Sequence, residues 1–276
     1  MRKKELRLYI PMLIILVLAL GVYILFTSRS KDNQAPEISI DTDTLSVSVT
    51  DPESALLRGV TAFDPQDGDV TGLLVVEKIS DLQEDHTATI TYAAFDHSGN
   101  VSKATRTLHY TDYTSPVFSL TKPLVFTANA TGDIMNRVTV TDVLDGNISR
   151  NLKATLVSDT SSLSNVGTHE VTFRVTNSMG ETVRITLPVD VLPSGTYTGT
   201  AQLTENLLYI PQGEAFRAAD YFKSMTLGST AYTVSDGVEL SVNSDVNTAK
   251  PGVYSVTYTA TYNSAQAFTR LIVVVE

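Results

Sequence analysis

Apolar and polar positions divide the chain into two unequal parts. From Leu8 to Thr27 there are twenty residues without a charge, Leu8-Tyr-Ile-Pro-Met-Leu-Ile-Ile-Leu-Val-Leu-Ala-Leu-Gly-Val-Tyr-Ile-Leu-Phe-Thr27. At about 1.5 Å per residue such a helix covers the roughly 30 Å hydrocarbon core of a bilayer. The pattern predicts a helix apolar on every side, with Pro11 tolerated in its first turn and Tyr9 and Tyr23 near the two interfaces. After Ser28 the helical signal disappears and short alternating runs take over, at 45–49, 87–92, 137–141, 170–175, 254–260 and 270–275. Period-two alternation predicts antiparallel strands with one face on a core. Only the stretch 216–222 offers a further helical turn or two.

The runs repeat. Segments 91–100, 172–181 and 257–266 align without gaps, and their aromatic anchors Tyr92, Phe173 and Tyr258 stand 81 and 85 residues apart. Each is preceded by an Asp-Gly pair, Asp67-Gly68, Asp145-Gly146 or Asp236-Gly237, and followed by a closing strand. A unit of this length can enclose its own core, unlike a solenoid repeat. Breaks rich in Pro and small polar residues fall at 33–36, 112–116 and 192–195. The expected organisation is a basic segment 1–7, a transmembrane helix 8–27, a linker 28–34, and immunoglobulin-like domains at 35–112, 113–193 and 194–276. The fold class is all-β, three tandem β-sandwiches after one N-terminal helix.

Composition supports strands: the 37 Thr and 30 Val favour a pleated surface. Without Cys the chain has no disulfide framework, thiolate metal site or thiol nucleophile. The formal net charge of −10 argues against a nucleic-acid partner. That charge is unevenly placed. Residues 1–31 hold Arg2, Lys3, Lys4, Arg7, Arg29 and Lys31 against Glu5, leaving 14 Lys/Arg and 29 Asp/Glu for the rest. Four basic residues before the span and two after it put the N-terminus in the cytoplasm and everything past about residue 30 outside. The small-residue site needed for signal cleavage is followed by more apolar residues, so an uncleaved anchor is expected.

The elements Asp112-Tyr-Thr-Ser-Pro116, Val140-Thr-Asp-Val-Leu-Asp-Gly-Asn-Ile-Ser149 and Gly167-Thr-His-Glu-Val-Thr-Phe-Arg-Val-Thr-Asn-Ser-Met-Gly180 resemble the bacterial surface immunoglobulin-like domains of the DUF5011, or HYR-like, group. The first domain matches through Asp64-Pro-Gln-Asp-Gly-Asp-Val-Thr71 and Ala94-Phe-Asp-His-Ser-Gly-Asn-Val101. The third keeps Pro251-Gly-Val-Tyr-Ser-Val-Thr-Tyr-Thr-Ala260 but departs at Tyr262-Asn-Ser-Ala-Gln266. The resemblance implies a surface or exported protein, commonly of Gram-positive bacteria, serving as spacer or adhesive module. It implies no catalytic residue.

Asp64, Asp67 and Asp69 form the densest acidic cluster, a set of hard oxygen ligands able to hold Ca²⁺, although the spacing does not match an EF-hand loop. Asp67-Gly68 is equally an ordinary turn dipeptide, so turn formation and solvation stand as the alternative. No other cofactor is expected. His86, His97, His109 and His169 show no i, i+4 pair. Lys78, Lys103, Lys153 and Asn177 are available for the Lys–Asn crosslinks of some surface sandwiches. The expected function is non-catalytic: a membrane-anchored extracellular stalk or surface interaction protein. The alternatives are an adhesin, or glycan- or cell-wall-binding module, with its ligand on domain 194–276, and an accessory subunit of a membrane assembly.

Overall fold

The computed structural model describes residues 13–24, 32–83, 85–128, 131–157 and 163–276, with no account of the side chains of 131–133. Residues 13–24 form a helix whose apolar side chains are exposed. Among the described residues no helix is long and apolar enough to cross a membrane. The basic segment 1–7, positions 8–12 and 25–27 of the expected span, and residues 28–31 lie outside the described residues. The other described residues form strands and short 3₁₀ turns, in two compact units that meet in sequence between Asp112 and Tyr113.

Among its described residues the first unit carries seven strands, β1 (Glu37–Ile40), β2 (Thr44–Val47), β3 (Val60–Asp64), β4 (Gly68–Asp69), β5 (Val75–Ile79), β6 (Thr87–Phe95) and β7 (Val101–Tyr110). They make one sheet in the order β1-β3-β4 and another in the order β2-β7-β6-β5, in which β2 runs parallel to β7. The second unit repeats this topology twice. In module 2, β8 (Val117–Leu120), β9 (Val125–Thr127), β10 (Val138–Asp142), β11 (Gly146–Asn147), β12 (Lys153–Leu156), β13 (Gly167–Thr176) and β14 (Thr182–Leu192) pair as β11-β10-β8 and β12-β13-β14-β9. In module 3, β15 (Thr200–Leu203), β16 (Leu207–Ile210), β17 (Phe222–Leu227), β18 (Thr230–Tyr232), β19 (Glu239–Ser244), β20 (Gly252–Tyr262) and β21 (Ala265–Val275) pair as β15-β17-β18 and β16-β21-β20-β19. Pairs β9·β14 and β16·β21 are again parallel.

The anchors Tyr92, Phe173 and Tyr258 are fully buried, as the alternation requires. The two tyrosines donate to main-chain carbonyls of short 3₁₀ turns, Tyr92 to Leu56 and Tyr258 to Ala218. Module 1 also buries Arg106, where the register places Leu187 in module 2 and Leu271 in module 3. Its guanidinium donates to the Tyr92 hydroxyl and the Arg58 carbonyl, which makes a buried charge tolerable. The expected helical turn at 216–222 is a 3₁₀ turn, Ala218–Tyr221.

Asp236-Gly237 is not the counterpart of the two earlier Asp-Gly pairs. Asp67-Gly68 and Asp145-Gly146 close the β3–β4 and β10–β11 hairpins, where Gly68 and Gly146 take φ of +78° and +68° that a Cβ would disfavour. In module 3 the corresponding hairpin is the shorter Gly228–Ser229 turn between β17 and β18. Asp236 instead completes a capping box with Thr233 on the 3₁₀ turn Val234–Asp236.

Modules 2 and 3 share a core. Leu207 and Ile272 of module 3 join the cluster formed by Phe118, Phe126, Val138, Phe173, Leu187 and neighbours in module 2. Leu271, Val273 and Val275, on the other face of β21, pack inside module 3. The uninterrupted apolar run 271–275 thus reflects a strand buried on both faces.

Candidate functional site

The polar ends of modules 1 and 2 are built from the same loops. At the end of β3, the Oδ1 of Asp64 accepts the main-chain N–H groups of Gln66 (2.8 Å) and Asp67 (2.9 Å), an Asx turn that shapes the hairpin. Asp142 does the same at the end of β10, taking Leu144 and Asp145, each at 2.8 Å. The next acid clips the neighbouring hairpin. Asp67 Oδ2 accepts the N–H of His97 (2.8 Å), and Asp145 Oδ2 accepts that of Ser178 (2.7 Å).

Of the sequence candidates Asp64, Asp67 and Asp69, only Asp64 belongs to a carboxylate cluster. Asp67 is occupied by His97, with its imidazole at 3.4 Å. Asp69 is exposed and accepts the N–H of Thr71 (2.9 Å); hydrogen bonds from the Thr71 side chain and N–H hold its pKa below the ordinary carboxylate range. Asp64 instead meets Asp32, ahead of β1, and Asp96, in the turn after β6. One carboxylate oxygen of each lies within 4.8 Å of the others. All three are buried, at 0%, 5% and 6% exposure for Asp64, Asp32 and Asp96. Residues 32–34, expected in the linker, therefore belong to module 1.

Partners are unevenly supplied. Asp32 Oδ1 accepts from the Gln34 N–H (3.0 Å) and the Gln66 amide (2.8 Å). The Asn100 side-chain amide donates to Asp96 Oδ2 (2.6 Å) and the Gln34 carbonyl (2.9 Å), and the Asn100 N–H to Asp96 Oδ1 (2.7 Å). Burial opposes the charge on Asp96, but hydrogen bonds from Asn100, Ser98 and Gly99 outweigh it and lower its pKa. Asp32 Oδ2 and Asp64 Oδ2 are buried without a hydrogen-bond partner. Among the described residues the ion pairs of this unit are Arg58–Asp51, His97–Asp67, Lys103–Glu77 and Arg106–Asp41, and none reaches the cluster. Two unit charges about 5 Å apart at an effective dielectric of about 20 repel by about 3 kcal/mol.

Module 2 resolves the same location without a charge cluster. Asn177 stands where module 1 has Asp96, and donates to Asp142 Oδ2 (3.0 Å) and the Tyr113 hydroxyl (2.7 Å). Glu181 stands where module 1 has Asn100, and accepts from the Tyr113 hydroxyl and from Ser115 Oγ (2.6 Å). Burial and then the Glu181 carboxylate push the Tyr113 pKa well up, which keeps the phenol a donor. Asp112 has the same position before Pro116 that Asp32 has before Pro36, yet it turns back to Ser48 Oγ (2.6 Å) and the Val49 N–H (2.8 Å). The hydrogen bonds of Asn177 include no lysine amine among the described residues, and Lys103 is paired with Glu77. In module 3 Tyr262 takes the position of Asp96 and stacks on Tyr232 with centroids 4.3 Å apart. Elsewhere on the second unit, a groove of about 580 Å³ at the junction of modules 2 and 3 is lined by Tyr197, Gln202, Asn206 and Phe268 among others.

No family model matches the chain. Over 174 residues it is 29% identical to an uncharacterized 81.3 kDa protein of Acholeplasma phage L2, covering 61% of this chain and 22% of the length of that relative. Among solved structures, the M60 catalytic domain with CBM51-1 and CBM51-2 from Clostridium perfringens ZmpB aligns with 87% of this chain and 30% of that one, at 11% identity and a TM-score of 0.22. Mouse cadherin-23 EC22–24 aligns over 88% and 99%, at 13% identity and a TM-score of 0.22. Similarity at this level assigns no activity.

Proposed function

We propose that the chain is a non-catalytic surface protein, tethered to the membrane by residues 8–27, with three immunoglobulin-like modules outside the cell acting as a stalk or interaction platform. The observation that carries this reading is the partition of the sequence: an uncharged stretch of twenty residues flanked by Arg2, Lys3, Lys4 and Arg7, followed by an acidic, Thr-rich β-repeat. Polar threonines on the outer faces and a net negative exterior suit an aqueous environment. The absence of cysteine provides a direct test. Ser229 is exposed, and Ser229→Cys would place a unique thiol in module 3. A membrane-impermeant maleimide should label it in intact cells and leave Lys4→Cys unlabelled until lysis. Labelling of Lys4→Cys alone in intact cells would reject the orientation.

An adhesive role is the second reading, favoured by the groove at the junction of modules 2 and 3. Tyr197 and Phe268 line it with ring centroids 5.8 Å apart, beside the amides of Gln202 and Asn206. Aromatic faces next to amide groups suit a sugar ring or a polar wall polymer. Retention of the full chain on a cell-wall glycan fraction, lost in Phe268→Ala, would support it; equal retention of both would remove it.

A further inference from the structure

We propose that Asp32, Asp64 and Asp96 bind a single Ca²⁺ ion at the end of module 1. Three acids alone would be weak grounds, but two buried carboxylate oxygens, Asp32 Oδ2 and Asp64 Oδ2, have no hydrogen-bond partner. A buried anionic oxygen without a partner is costly, and three carboxylates together compound the cost. A divalent cation removes both penalties. Oxygens around Ca²⁺ at about 2.4 Å are at most about 4.8 Å apart, and one oxygen from each aspartate satisfies that limit. The cluster contains neither His nor Cys, so it suits a hard cation rather than zinc or copper. Mg²⁺ demands near-ideal octahedral geometry and keeps several waters, which suits a buried three-carboxylate cluster less well.

Module 2 serves as an internal control. There the same loops place Tyr113, Asn177 and Glu181 around Asp142, and neutral donors separate the two carboxylates. Module 1 has Asn33 and Asp96 at the positions of Tyr113 and Asn177; its amides Gln66 and Asn100 serve Asp32 and Asp96, and Asp64 Oδ2 is left without a donor. The ion would join the start of module 1 to the ends of β3 and β6, fixing residue 32 against the sheet. Calcium would therefore control the order of the segment through which the chain enters its first module.

The test is calorimetric titration of the full chain with CaCl₂, together with thermal unfolding in Ca²⁺ and in EGTA. The expected result is one ion per chain, with a dissociation constant of about 0.1–1 mM as in extracellular calcium modules, and a higher melting temperature in Ca²⁺. Asp96→Asn introduces the residue that module 2 carries at this place, and Asp64→Asn retains the Oδ1 acceptor of the Asx turn, so both should fold. Each should lose at least about tenfold in affinity, because affinity follows ligand charge. Without Ca²⁺ Asp64→Asn should melt at or above the parent temperature, since a repulsion is relieved, whereas Asp96→Asn also sets its new amide N–H against a donor of Asn100 and gives up part of that gain. Asp69→Asn should bind as the parent does. Absence of heat and melting shift up to about 10 mM Ca²⁺ would overturn the proposal, as would unchanged binding by Asp96→Asn. An equal melting shift from Mg²⁺ alone would overturn the assignment to calcium.

Discussion

Asp190 and Arg270 make a bidentate pair at the junction of modules 2 and 3: Arg270 Nε donates to Oδ2 at 2.6 Å and Nη2 to Oδ1 at 2.8 Å. Asp190 is buried and also accepts from Thr168 Oγ1 at 2.7 Å. Removing one partner leaves a buried charge, so Asp190→Ala and Arg270→Ala should each cost about 3–5 kcal/mol. The double variant should cost less than the sum; urea unfolding of all four forms of the cycle checks this. Asp112 gives a pH signature. The Ser48 hydroxyl and then the Val49 N–H lower its pKa. A native pKa below the unfolded value of about 3.9 means the unfolded chain takes up the proton first. The contribution of Asp112 is thus complete above that value and lost as pH falls through the native pKa. Asp112→Asn should flatten this part of the acid-unfolding profile relative to the parent. The carboxylate cluster shows how far single residues were legible. Asp64 was visible because it sits in an acidic run, whereas Asp32 and Asp96 are isolated acids that only the topology of β1, β3 and β6 brings to it. Asp67 and Asp69, prominent in sequence, are structural clips.

Strands were legible because apolar residues alternate with Thr, Ser and other polar ones in runs such as 87–92 and 138–141, and the strand-pair repeat around Tyr92, Phe173 and Tyr258 followed from the spacing of anchors that must all face inward. What misled was a dipeptide read without its element: Asp236-Gly237 caps a 3₁₀ turn, whereas the corresponding hairpin is the shorter Gly228–Ser229 turn. The apolar run 271–275 carried information that alternation alone does not express. A strand with both faces apolar needs two partners, and Ile272 finds its second in module 2. Residues 113–276 should accordingly unfold in one transition, and Ile272→Ala should lower its midpoint by the equivalent of about 2–5 kcal/mol. A fragment restricted to 194–276 would expose Leu207 and Ile272 and should aggregate or melt earlier. The β20–β21 turn offers the opposite change. Asn263 and Ser264 have φ of +46° and +69°, as a two-residue type I′ turn requires. Ser264→Gly removes the Cβ penalty and should stabilise by about 1 kcal/mol, measured as a higher unfolding midpoint.

At the scale of the molecule the net charge of −10 is a sum of opposites. Six of the 20 basic residues fall within the first 31 positions, against one of the 30 acids. Such a partition is more than a solubility device, because basic residues beside an apolar segment resist translocation whereas acids have little influence. In the topology proposed above, this arrangement would set one direction across the bilayer, with the acidic β-modules following passively. Replacing Arg2, Lys3, Lys4 and Arg7 with Gln leaves Arg29 and Lys31 as the nearer basic flank, which reverses the bias across residues 8–27. In membranes, that variant should carry a substantial fraction of its β-modules on the cytoplasmic side, read as loss of labelling by the membrane-impermeant maleimide at Ser229→Cys in intact cells and its recovery on lysis. Introducing Lys at two positions between 2 and 7 should restore labelling. Undiminished labelling of the Gln variant would show that the charge partition does not set direction.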